Sequence, residues 1–195
     1  MTGSGPKQTP AGQTPSQTIG PFFHDALMRD AVTELDPQRQ AGSPIRIVGS
    51  VIDGAGEVVS DAMVEVWQAD SGGRYRHPAD GRSADVPSAF VGFGRVGTDD
   101  DGRFGLTTVM PGTVPGPEGS VQAPHLNVQV FARGLLDRVN TRIYFPDHPA
   151  NTSDPVLSMV PPDRRSTLIA TSKGSGEYRF DVVLQGPRET VFFEL

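Results

Sequence analysis

Four histidines, His24, His77, His125 and His148, are the only imidazoles in a chain that has no cysteine. Without thiols there can be no disulfide, thiolate metal site or cysteine nucleophile. No two of the histidines stand in an H-x-H or H-E-x-x-H arrangement, so none forms a local chelate, and scattered hydrogen-bonded imidazoles are the ordinary expectation. Asp99-Asp100-Asp101-Gly102 gathers carboxylates but runs straight into Arg103-Phe104-Gly105-Leu106. A calcium loop needs spaced oxygens and a terminal Glu, so this run reads as a tight turn between strands. The sequence has no G-x-S-x-G elbow and no Ser, His and Asp grouping that singles itself out, which leaves little support for a hydrolase.

The segment Pro124-His125-Leu126-Asn127-Val128-Gln129-Val130-Phe131-Ala132-Arg133 carries more information. As a strand it turns Leu126, Val128, Val130 and Ala132 one way, and His125, Asn127, Gln129, Phe131 and Arg133 the other. One face is then core, and the other is polar and aromatic. A regular strand would separate His125 from Arg133 by about 26 Å, too far for both to serve one small-molecule pocket. Solvated polar residues on a sheet face are the plain alternative for both.

The elements that position these groups follow from composition and period. The chain has 195 residues with 23 glycines and 18 prolines, which suits many short strands joined by turns. Its length suits one domain. Residues 1–13 hold too few apolar groups to pack and read as a flexible arm, leaving residues 14–195 as the folded domain. Leu27, Met28, Ala31 and Leu35 stand at helical spacing and predict a short helix within residues 23–35. From Ile45 the period becomes two, and the Asp53-Gly54-Ala55-Gly56 turn predicts a hairpin between residues 45–51 and 63–68. Further strands are expected at residues 103–109, 125–133, 141–145, 178–185 and 190–194. Together these predict an all-β sandwich of mainly antiparallel strands. Two long loops, residues 71–89 and 110–124, are where chemistry or contact is to be sought.

Charge and hydropathy exclude several classes of partner. The formal charge is −6, and no Lys/Arg cluster is present to neutralise phosphates, which argues against nucleic acid. Apolar runs reach four or five residues, far short of a membrane span. The first 17 residues have no apolar stretch behind a basic one, so a cytoplasmic location is the expectation.

Several motifs in order resemble the intradiol ring-cleavage dioxygenases. They are Thr14-Pro15-Ser16-Gln17-Thr18-Ile19-Gly20-Pro21-Phe22-Phe23, Asp61-Ala62-Met63-Val64-Glu65-Val66-Trp67-Gln68-Ala69-Asp70, Gly73-Arg74-Tyr75-Arg76-His77, Phe90-Val91-Gly92-Phe93-Gly94-Arg95, Tyr178-Arg179-Phe180-Asp181 and the terminal Glu189-Thr190-Val191-Phe192-Phe193-Glu194-Leu195. The resemblance covers nearly everything after Thr14 and implies a β-sandwich. It also implies a chemistry that rests on ferric iron held by two tyrosines and two histidines, a hard donor set suited to Fe(III). Where the family places its second tyrosine, in P-G-x-Y-P, this chain has Val114. Where it places H-x-H, this chain has His125 and Asn127. Its first tyrosine falls near Arg82 or Ser83. One ligand of the four is left, so the resemblance implies a chain that holds no iron, with Val114, His125 and Asn127 as vestigial positions.

In heteromeric members of the family such a chain pairs with an iron(III)-bearing beta subunit of the same fold, whose substrates are protocatechuate and O2. Carried over by position, Gly20, Pro21 and Phe22 would line the partner's pocket, and Arg133 would point toward the substrate's carboxylate. A guanidinium offers that carboxylate a planar donor fork. Two other readings stay open: an autonomous dioxygenase with rearranged ligands Tyr75, His77 and His125, or an assembly module without an active-site role.

Overall fold

In the computed structural model, which describes residues 26–194, the alternation that starts at Ile45 becomes β1 (Pro44–Ile52), with Ile45, Ile47 and Val51 buried. A β-branched stripe packs well on a pleated face, which favours strand here. Along most of its length β1 pairs antiparallel with β4 (Arg103–Val109). On its other edge it runs parallel to β10 (Glu177–Arg179) and then β11 (Val182–Val183), and β9 (Thr171–Gly174) adds antiparallel to β10. The second sheet has the order β3 (Phe93–Gly97), β2 (Met63–Trp67), β7 (His125–Phe131), β8 (Val139–Tyr144), with every pair antiparallel. A small ribbon, β5 (Val114–Pro115) with β6 (Val121–Gln122), stands beside it.

The two sheets face each other. Ile45, Ile47, Phe104 and Leu106 of the first share one core with Val64, Val66, Leu126, Val128 and Val130 of the second. This is the expected β-sandwich. A satellite core of Ala123, Tyr144, Leu157, Val160 and Leu168 sits under α1 (Pro155–Met159). The buried Asp154 carboxylate caps that helix, accepting from the backbone N–H groups of Val156 and Leu157. The Asp99–Gly102 run is a turn, with the Gly102 N–H on the Asp99 carbonyl at 2.8 Å and Gly102 at φ +67°. Among the described residues, no helix is long and apolar enough to cross a membrane.

The structure corrects several sequence expectations. The hairpin between residues 45–51 and 63–68 does not form, because β1 and β2 lie in different sheets. The Asp53–Gly56 turn does reverse the chain, but only to a single bridge between Ile52 and Val58. Both edges of β1 are already filled by β4 and by β10 and β11, so the chain crosses over and buries Met63, Val64 and Val66 elsewhere. The helix expected within residues 23–35 is present in its described part, where residues 26–27 are helical and run into a 3-10 turn, Met28–Asp30, but it ends there. After it the backbone is extended, with Val32 bridged to Arg95 and Glu34 to Thr107. Leu35 is fully buried there, captured by the open edges of two sheets rather than by a helix. The strand expected at residues 178–185 is broken at Phe180-Asp181, where the Asp181 carboxylate takes the Ser50 N–H at 2.9 Å. Residues 190–194 form no regular strand and are held by Thr190 N–H on Val183 O and Phe193 N–H on Asn140 O. The arm expected at residues 1–13 lies outside the described residues.

Candidate functional site

The two long loops meet where the sequence directs attention. Residues 71–89 and 110–124 converge over the second sheet and, with Trp67 and Asn127, enclose a cleft of about 530 Å³. Two carboxylates shape the first loop. The buried Asp70 accepts the N–H groups of Gly72 and Arg74 and pairs with the Arg74 guanidinium at 2.6 Å. Asp80 accepts the N–H groups of Tyr75 and Arg82 and pairs with the Arg82 guanidinium at 3.0 Å. The Arg82 hydrogen bonds hold the Asp80 carboxyl down at about 2. The loops lock together at Gly73, whose φ is +70° and where a Cβ would stand 1.9 Å from the Thr113 carbonyl oxygen. Only glycine meets both demands.

Trp67, Tyr75 and His77 form an aromatic wall, the indole lying 6.3 Å from the Tyr75 ring and 5.8 Å, edge-on, from His77. Val114 and Pro115 add apolar surface, while Gln122 and Asn127 present amides. His125 is 3% exposed, where the alternation had placed it on a solvated polar face, because residues 110–124 and the α1 region cover that end of β7. Its Nδ1–H donates to the Ala123 carbonyl at 2.7 Å, and its ring tilts against Tyr144 at 5.7 Å. Burial first, then the nearby Arg142 charge, brings the imidazole down to about 4, so it is neutral near pH 7.

Arg142 is the residue that the sequence reading missed. Its Nη1 donates to Gln122 Oε1 at 2.7 Å and to the Tyr144 hydroxyl at 3.3 Å, and that hydroxyl donates on to Asp154 at 3.2 Å. Burial raises the Tyr144 phenol above its ordinary range. The signal for Arg142 is register, since it sits directly across from Asn127 on β8. Nothing local to residues 139–144 announces that pairing.

A dioxygenase family model, Dioxygenase_C, matches residues 19–186 of this chain. The chain belongs to the intradiol ring-cleavage dioxygenases. It is 45% identical to the protocatechuate 3,4-dioxygenase alpha chain of Burkholderia cepacia, over 94% of this chain and 98% of that one. The beta chain of the same enzyme is 35% identical, over 88% of this chain and 75% of that one. Among solved structures, the dioxygenase domain of a carbohydrate-binding fusion protein from Streptomyces sp. SirexAA-E superposes with a TM-score of 0.60 at 29% identity, covering 89% of this chain and 96% of that one.

Intradiol dioxygenase chemistry needs a ferric site, and the residues of this cleft do not fit one. Val114 has no donor atom, Asn127 offers a neutral amide, and Arg82 brings a cation already committed to Asp80 and the Gly73 carbonyl. The Arg142 charge reaches His125 and Tyr75, which would repel a trivalent ion. Among the described residues, no three His, Asp or Glu side chains gather as a metal set. The rearranged set of Tyr75, His77 and His125 is not brought together either: the first two line the cleft, and His125 does not.

Arg133 lies past the other end of β7. Its guanidinium pairs through Nε with Asp61, while the Arg133 side chain stays 64% exposed. The surface ion pair and an outward-facing fork therefore coexist. Gly20, Pro21 and Phe22 lie outside the described residues.

Proposed function

We propose that this chain is the iron-free alpha subunit of a protocatechuate 3,4-dioxygenase, completing the substrate pocket of an iron(III)-bearing beta subunit of the same fold. The observation that carries the reading is the donor count in the cleft, where Val114, Asn127 and Arg82 or Ser83 stand at three of the family's four ligand positions. The whole-length likeness to an alpha chain supports it, as does the weaker likeness to a beta chain. In this reading the iron of the beta subunit supplies the activation of the catechol and O2, and both oxygen atoms enter the opened ring to give 3-carboxy-cis,cis-muconate. This chain supplies wall and charge. Asp61 holds the Nε side of Arg133 and leaves the outer edge of the fork for the protocatechuate carboxylate, directly or through water. Gly20 and Pro21 give a close, stiff approach beside a flat ring, and Phe22 gives an apolar one.

Two measurements test this. The chain purified alone is expected to be colourless and free of stoichiometric iron, and the complex to carry the red tyrosinate-to-iron absorption; an active, iron-replete single chain overturns the reading. In the complex, Arg133→Ala is expected to raise KM by about tenfold or more, the effect of losing a charged hydrogen bond of ~1.5–3 kcal/mol. Unchanged KM and kcat would make the chain an assembly module instead.

A further inference from the structure

The cleft has lost the donors for a metal, yet it keeps the size and lining of a small-molecule site. A volume of about 530 Å³ accommodates a single-ring ligand. Its wall is aromatic, with Trp67, Tyr75 and His77 set for stacking or edge contact with another ring. Among the described residues, Asp80 is the one acid in its lining, and that carboxylate is tied to Arg82 and to the Tyr75 N–H.

At the border of the cleft stands a cation that has no ion pair among the described residues. Among the described residues, the Arg142 guanidinium forms no ion pair, and its Nη1 bonds go to two neutral groups, the Gln122 amide and the Tyr144 hydroxyl. Arg142 is paired across the sheet with Asn127, so both side chains leave the same face, and Asn127 and Gln122 both line the cleft. A half-buried guanidinium whose other donors meet no hydrogen-bond partner among the described residues calls for a planar oxyanion. An aromatic wall beside it calls for a ring attached to that anion.

We infer that this cleft binds a planar aromatic carboxylate, the ring against Trp67 and the carboxylate on Arg142. The inference does not depend on the role proposed for Arg133, and it requires no metal.

Trp67 is the single tryptophan of the chain and lines the cleft, so its fluorescence reports on binding there. Titration of the full chain with benzoate is expected to give a saturable change in that fluorescence, with the same affinity by calorimetry. Benzamide, which keeps the ring and shape and lacks the charge, should bind about tenfold or more weakly. Arg142→Gln should weaken benzoate to the level of benzamide and leave benzamide itself unchanged. No saturable binding of benzoate by either method overturns the inference, as does equal affinity for benzoate and benzamide. Loss of benzoate binding in Arg133→Ala, with Arg142→Gln titrating as the parent does, places the anion elsewhere and overturns it too. Should Arg142→Gln fail to fold, the benzoate and benzamide comparison on the parent chain still decides.

Discussion

Burial sets the chemistry of His125. Held neutral with Nδ1–H on the Ala123 carbonyl, it faces Arg142, Tyr144 and Asp154, and its folded value of about 4 lies below the ordinary 6.5. Between those values the unfolded chain binds a proton that the folded chain does not. Stability tied to this residue is therefore intact above about pH 6.5 and is lost as pH falls toward 4. The loss amounts to roughly 3 kcal/mol at most. Urea unfolding at pH 7 and pH 4.5 should show it, and His125→Gln should flatten the acid limb relative to the parent. Equal slopes in the two proteins would remove His125 from the account. The sequence marks this histidine as the survivor of a ligand set, but it gives no hint of the burial. Alternation alone puts His125 with Asn127 and Gln129 on an open face, and only the covering loop separates them. Arg133 was legible as a candidate, whereas its partner Asp61, 72 residues away, was not.

At the scale of elements, β1 is the strand on which the first sheet depends. Gly49 sits in its middle, and a Cβ there would lie 1.8 Å from the Phe180 carbonyl oxygen, where the backbone crosses between β10 and β11. Gly49→Ala must push that crossing away, breaking the Phe180 N–H bond to Val48 and the Asp181 bond to Ser50. The expected loss is about 3 kcal/mol, as for overpacked cores, and is measurable as a lowered denaturant midpoint. A midpoint equal to the parent's would mean that the parallel pairing tolerates displacement. The strands at residues 103–109 and 125–131 were readable from alternation, because period two is a local property. The partner of β1 was not, since a turn specifies reversal and not which edge the returning chain will join.

For the whole molecule, the sandwich stands on its own apolar layers, with the cleft at one end of β7 and Arg133 past the other. Among the described residues, Asp70 and Asp80 shape the first loop by hydrogen bonds, and Gly73 and the Gly112 N–H on the Asp70 carbonyl join it to the second. The melting temperature of the lone chain should therefore be the same with and without a strong chelator. A fall on chelation would reveal a metal contributing to the fold. The acidic balance of the chain, −6 overall, makes the local cations Arg133 and Arg142 the features to which an aromatic acid would respond.

The sequence by itself determined the strand periods, the loops that carry the cleft and the donors missing at Val114 and Asn127, because periodicity, turn chemistry and side-chain identity are written residue by residue. Tertiary structure alone decided that β1 and β2 part into two sheets, that His125 is buried and that Arg142 arrives beside Asn127. Those outcomes depend on edges competing for partners and on charges meeting across strands, and neither is a property of any short stretch of chain.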